Sequence, residues 1–192
     1  TCDLQDNDCD GVVDYAYSVP GDYSTLQEAL DGLPEGEGAC VSAGTYTENL
    51  DWTRDVTLRG WVDEKVVLDG GYNSSIVTVT GTSDAVLGEM VIQGGQAQWG
   101  AGVHVDGGNF LLQGSTLTGL DCISGLNCDG VAVYVENGGK AVISGVQISE
   151  LELSHDRSLY GLFHCEDAGS LELHDTVVVD NLIEIEGGYD AF

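Results

Sequence analysis

The sequence predicts an all-β solenoid, a stack of parallel strands coiled as a β-helix, and three observations carry that prediction. The first is a pattern written three times. Val103-His104-Val105-Asp106 leads through Gly107-Gly108 to Phe110-Leu111-Leu112; Val133-Tyr134-Val135-Glu136 leads through Gly138-Gly139 to Ala141-Val142-Ile143; Phe163-His164-Cys165-Glu166 leads through Ala168-Gly169 to Leu171-Glu172-Leu173. The first strands recur every 30 residues, a period that marks stacked repeats. The second is alternation of apolar and other residues within each short strand, the period of a pleated strand with one face buried. The third is the balance of 28 glycines to 2 prolines, which supplies many tight turns without the stiffness of a Pro-rich chain.

The chain opens on Cys2-Asp3-Leu4-Gln5-Asp6-Asn7-Asp8-Cys9-Asp10-Gly11-Val12-Val13-Asp14. Asp6, Asp8 and Asp10 occupy positions 1, 3 and 5 of an EF-hand-type calcium loop. Gly11 is the turn glycine, Val12 offers its carbonyl, and Asp14 stands at position 9. Alternate residues of a tightly curled loop aim several hard oxygens at one point, which is what Ca²⁺ takes. Tyr17 holds the position where an EF-hand has its bidentate Glu, so a further ligand would have to come from elsewhere. An acidic linker is the alternative. The stretch resembles short Asp- and Cys-containing metal-binding repeats of secreted bacterial proteins, and the calcium loops of thrombospondin type 3 repeats and dockerins. That resemblance covers about thirteen residues and implies a disulfide between Cys2 and Cys9 that staples the loop.

Residues 18–49 read as an N-terminal cap. Ser24-Thr25-Leu26-Gln27 has the form of a capping box with Gln at the third helical position. Leu26, Ala29, Leu30 and Leu33 give an apolar face at helical spacing, and Pro34 with Gly36 ends it. A short strand, Ala39-Cys40-Val41, and the run Ala43–Glu48 follow. Together these residues closely resemble the opening of right-handed parallel β-helix proteins, a group that includes pectate lyases, pectin methylesterases and many bacterial surface proteins. The resemblance implies a right-handed coil with an amphipathic helix over its first, otherwise unpaired, strand edges.

Residues 50–192 are rungs. Val56–Gly60, Val66–Gly71, Ile76–Thr80, Ala85–Leu87 and Met90–Ile92 are strands of varying regularity between Gly-rich turns. Asn73-Ser74-Ser75 has the form of a glycosylation sequon. In the three clear repeats Phe110, Ala141 and Leu171 correspond, as do Leu112, Ile143 and Leu173, and Leu117, Ile148 and Val178, at spacings of 31 and 30. Each rung is expected to hold three short strands joined by turns and to climb about 4.8 Å. The insertions 120–129 and 151–160 should protrude from one corner. No cap is recognisable toward Gly187–Phe192.

Alternation turns Val103, Val105, Val133, Val135, Phe163 and Cys165 inward. It turns His104, Tyr134 and His164 outward in one vertical column, and Asp106, Glu136 and Glu166 in a second. Thr78 and Thr80 continue both columns one rung earlier. Rings offer stacking faces and carboxylates take hydroxyls or a cation, so these six residues are candidates for carbohydrate binding. For an enzyme, His104, Glu136, His164 and Glu166 are the candidate catalytic groups. Stacked carboxylates repel, so a bridging cation or a raised pKa is expected. A solvated sheet face whose residues merely stack in register is the competing reading. In the second strands Val86, Leu111 and Val142, then Glu172, point outward, and successive apolar residues suggest a covered sheet.

Charge narrows the partners. Against 33 acidic residues stand 5 basic ones, a net −28. Nucleic acid and anionic membranes, which need basic patches, are poor partners. Mean hydropathy is near zero and no apolar run approaches the ~20 residues that cross a bilayer. No signal peptide is present, so the chain reads as mature, trimmed or excised. Six cysteines, with Cys2 near Cys9 and Cys122 near Cys128, suggest disulfides and an extracellular or cell-surface location. Cys165, inward on its strand, reads as a buried apolar thiol.

Enzyme patterns of the resembling families fit poorly. Pectate lyases combine clustered acids with an arginine base, and pectin methylesterases combine two aspartates with an arginine and glutamines. Here Arg54 and Arg59 lie in early rungs and Arg157 in an insertion, away from the acidic column. Gln93, Gln96 and Gln98 precede Trp99 without the esterase signature. A two-carboxylate glycosidase stays open. The sequence thus favours a non-catalytic calcium-binding β-helix that acts as a surface, adhesive or fibre-forming module and self-associates, end to end or laterally. A calcium-dependent polysaccharide lyase or hydrolase, or a carbohydrate-binding module, is the alternative.

Overall fold

The protein is described by a computed structural model covering residues 17–61, 63–123, 128–155, 161–179 and 182–185. The predicted calcium ligands Asp6, Asp8, Asp10, Val12 and Asp14, the cysteines Cys2 and Cys9, and Arg157 lie outside the described residues. What is described is a parallel β-solenoid of about six turns with a single helix among these residues.

Two long sheets form its main walls, and every strand pair in them is parallel. The first wall runs from Tyr17–Val19 through Gly38–Val41, Thr57–Gly60, Val77–Gly88, Val103–Gln113 and Val133–Glu136 to Phe163–Cys165, with Leu50–Trp52, Lys140–Ser144 and Ser170–His174 attached. The second runs from Gly44–Thr47 through Val66–Asp69, Val91–Gln93, Thr116–Thr118 and Gln147–Ser149 to Val177–Val178. A narrow third side pairs Gln96–Ala97 with Asp121–Cys122, and Glu152–His155 with Leu182–Ile185.

The register is the one the repeats predict. Val103 pairs with Val133 and Val133 with Phe163. Phe110, Ala141 and Leu171 align, as do Leu117, Ile148 and Val178. The strand count per rung is different, however. Val77–Gly88 and Val103–Gln113 each run through the expected turn as one bent strand, with the register shifting between Gly107 and Asn109. Gly107 and Gly108 both adopt positive φ, so the glycine pair makes a bulge within a strand rather than a break between two. In the second and third repeats the strands do separate, as Val133–Glu136 and Lys140–Ser144, and as Phe163–Cys165 and Ser170–His174.

Inward residues fill the coil in columns. Val79, Val105 and Val135 stack in one and Leu87, Leu112 and Ile143 in another, all buried. Trp52 is fully buried and meets Phe110 edge-on at 6.3 Å. Each such side chain contributes roughly 1.5–3 kcal/mol by leaving water. Two consecutive apolar layers of this kind fix which face of every strand is inside, because a one-residue slip would expose all of them.

The helix spans Leu26–Gly32 and buries Leu26, Ala29 and Leu30 in the same core. Its N-cap is Thr25, not Ser24: the Thr25 hydroxyl accepts from the Glu28 amide, and the Glu28 carboxylate accepts from the Ser24 amide. The reciprocal capping pattern is present but displaced by one residue, with Glu28 in the acidic role. Gln27, freed from that role, bridges to Asp51 through both its amide nitrogen and oxygen. Glu48 accepts from the Leu26 and Gln27 amides, so two more helix N-terminal donors are met by a carboxylate from the next turn of chain.

Cys122 and Cys128 form a disulfide, and both are buried. Cys40 is also disulfide-bonded. Cys165 corrects the sequence expectation. It pairs in register with buried Val135, yet it is exposed and its thiol is free. The reason is its place in the last described turn of that wall, where no further described strand lies over it.

Candidate functional site

The outward columns stand where alternation put them. Thr78, His104, Tyr134 and His164 are register partners on four successive strands, and Thr80, Asp106 and Glu136 follow beside them. What alternation could not show is how the two columns interlock. His104 Nε2 lies 2.8 Å from Glu136 Oε1, and the Tyr134 hydroxyl donates to Glu166. Each ring therefore reaches the carboxylate two positions along on the next rung, and the same diagonal is made twice. Asn137 Nδ2 donates to Asp106 Oδ1 at 2.7 Å, which continues the bracing at the corner. The His164 ring nitrogen stands 3.8 Å from Glu166.

The rings also stack. Tyr134 and His164 lie 5.5 Å apart with their planes nearly parallel at 9°, and His104 meets Tyr134 edge-on at 5.3 Å. Trp99, held by a parallel bridge to Asp129, covers Tyr134 from the side at 6.4 Å. Tyr134 is consequently only 2% exposed although it points away from the core, whereas Trp99 is 44% exposed. This corrects the picture of an open ring strip. The middle of the strip is shut by Trp99 and by its own neighbours, because a wide ring on every rung at about 4.8 Å spacing leaves no room for solvent between them.

Electrostatics follow from that closure. Burial, reinforced by the hydrogen bond to Glu166 and by the nearby charges of Glu136, Glu166 and Asp129, raises the Tyr134 pKa far above that of a free tyrosine. Tyr134 is therefore a permanent hydrogen-bond donor rather than a base. Asp129 Oδ1 is buried without a hydrogen-bond partner among the described residues. Glu136, Glu166 and Asp167 offer carboxylate oxygens that all lie within 4.8 Å of one another, an arrangement that three hard ligands of one cation would have. Asp167 was not among the residues singled out from the sequence. It sits in the left-handed region beside Ala168, and that turn is what swings it back toward Glu166.

The second-strand column is also as expected: Val86, Leu111, Val142 and Glu172 are register partners. The three apolar members are half-buried and floor a shallow groove of about 430 Å³ whose side carries Asp84, Asn109 and Lys140. Lys140 Nζ reaches Glu172 at 2.8 Å across one rung, and this bond, with His174, holds the Glu172 carboxyl below the usual carboxylate range. The two described arginines are engaged elsewhere: Arg54 pairs with Glu35, and Arg59 with Gln113. No described helix is long and apolar enough to cross a membrane. Comparison with protein-family models finds no match, and comparison with curated proteins finds no significant relative.

Proposed function

We propose that this chain is a non-catalytic, calcium-binding β-helix of the extracellular space or cell surface, right-handed and closed by its N-terminal helix, that serves as a structural, adhesive or fibre-forming module. The observation that carries this reading is what happens to the outward column. The groups a glycosidase or lyase would need free are bonded to each other, His104 to Glu136 and Tyr134 to Glu166, and Tyr134 is shut from solvent. A ladder repeated on the same diagonal works as a register lock for stacked rungs.

Three further features support the reading. A net charge of −28 is tolerable in a compact fold when divalent cations or salt offset the repulsion. The Asp6–Asp14 loop supplies the residues for calcium, and the oxidised Cys122–Cys128 pair suits an extracytoplasmic site. Self-association is supported by Leu173 and Val178, inward positions of the last described turn that are each 45% exposed. The helix leaves Glu28 and Asp31 exposed on its outer side. An apolar rung is better matched by a second such rung than by that acidic helix face.

The test pairs stability with activity. The combined replacement His104→Ala, Glu136→Ala and Glu166→Ala should lower the unfolding midpoint, while the parent protein releases no product from a broad polysaccharide panel. Product release by the parent that disappears in the triple variant would overturn the non-catalytic reading. It would favour the alternative, a calcium-dependent polysaccharide lyase or hydrolase, for which the Glu136–Glu166–Asp167 cluster is the supporting observation.

A further inference from the structure

A second recess lies on a different corner of the coil, away from the ring column, and its origin is a difference in corner length. Between the two main walls the chain crosses by residues 61–65 on one turn, but by only 89–90, 114–115 and 145–146 on the following turns. Trp61 and residues 63–65 of the long crossing line, with residues of the short ones, a recess of about 470 Å³, within the range of small-molecule sites. A Cβ on Gly60 would lie 2.2 Å from the Glu89 carbonyl oxygen, so glycine is what lets the two corners close on each other.

The lining is chemically mixed. Trp61, half-buried, offers part of an indole face; Val91 adds a patch of apolar floor; Asp63 and Glu89 bring carboxylates; Thr116 brings a hydroxyl; Lys65 brings an ammonium group. Lys65 is notable in so acidic a chain. Arg54 and Lys140 are held by Glu35 and Glu172, but Lys65 has no ion-pair partner among the described residues despite the carboxylates around it. Its donors are thus available to a ligand, and so are the acceptors of Asp63 and Glu89.

We propose that this recess binds a neutral saccharide. A pyranose ring has an apolar face for the indole and a rim of hydroxyls that both donate and accept. The carboxylates of Asp63 and Glu89 and the ammonium of Lys65 supply acceptors and donors for such a rim, whereas an anionic ligand would meet the field of the whole acidic chain. The site is independent of the reading given above for the ring column and of any self-association, since none of its residues belongs to either.

The probes are cellotriose, maltotriose and N,N′,N″-triacetylchitotriose, with trigalacturonate as the anionic comparison, followed by calorimetry and tryptophan fluorescence on the full chain. At least one neutral trisaccharide should bind saturably at millimolar or tighter affinity and shift the fluorescence. Trp61→Ala should weaken that binding by about tenfold or more, the loss of one stacking platform. Lys65→Ala and Glu89→Gln should each weaken it severalfold with the far-ultraviolet circular dichroism unchanged. Trp99→Ala should leave it unaltered. Failure of all three neutral probes to bind overturns the proposal. So does binding that is insensitive to Trp61→Ala and Lys65→Ala, or a preference for trigalacturonate.

Discussion

At the scale of single residues, Tyr134 decides how the outward face should be understood. It points away from the core, yet it is covered on one side by Trp99 and on the others by His104 and His164. Its hydroxyl meets Glu166. Removing that hydroxyl in Tyr134→Phe should cost about 2 kcal/mol, the worth of a buried hydrogen bond to a charged group, as read by denaturant unfolding. The raised pKa gives a second expectation with a definite sign. Below the ordinary tyrosine pKa near 10 both folded and unfolded states are protonated, so this contribution is fully present. As pH climbs from there toward the raised value, the unfolded chain ionises first and the contribution is lost. Alkaline stability profiles should therefore drop above about pH 10 in the parent and be flatter in Tyr134→Phe. Glu172 runs the other way. Its lowered pKa, due first to Lys140, gives a contribution present above the usual carboxylate range and lost as pH falls through the lowered value. Which residues face outward was readable from alternation, because strand geometry leaves no choice. That Tyr134 would be closed over was not, because Trp99 lies outside the repeated strands and backbone pairing with Asp129 helps to bring it near. Asp167 and the Trp61 recess were hidden for a related reason: both depend on how a corner turns, and corners carry no periodic signal.

At the scale of elements, the helix and the bent strands show how local chemistry sets boundaries. The capping pattern Thr25–Glu28 differs from the expected Ser24–Gln27 by one step, since serine and threonine both cap and either Gln or Glu can answer. Once the chain is folded, Glu48 also occupies the N-terminus of the helix, which selects the register actually seen. Thr25→Ala should lower stability by about 1 kcal/mol, whereas Ser24→Ala should have a much smaller effect. Comparing the two by thermal or chemical unfolding checks the assignment. The repeat spacing predicted the pairings of the two main walls among the three clear rungs, but not the pairing of Glu152–His155 with Leu182–Ile185, which falls in a stretch expected to protrude, and it could not distinguish a turn from a bulge at Gly107-Gly108. Paired glycines serve either purpose, and the neighbouring turn's Gly81 and Ser83 backbone decides it by close approach. Core columns at 30- and 31-residue spacing make individual side chains expensive to lose. Phe110, packed edge-on to Trp52, should cost about 3–5 kcal/mol as Phe110→Ala.

At the scale of the whole molecule, a solenoid gains stability by adding rungs and needs something at each end. Here the helix folds its apolar side into the core near the N-terminal turns, and the last described turn leaves Leu173 and Val178 facing solvent. The strong acidity of the chain works against bringing two copies together unless cations intervene. Calcium is thus the expected link between charge and assembly, with the Asp6–Asp14 loop as its predicted first site. Asp8→Ala combined with Asp10→Ala should sharply reduce calcium binding in calorimetry while leaving the β-sheet signal largely intact.

The account is tested most directly by electron microscopy of the purified chain at high concentration, with calcium and with a chelator. Copies joined through the turn that carries Leu173 and Val178 in calcium, and separated by the chelator, are the result it predicts. Monomers under both conditions would contradict it.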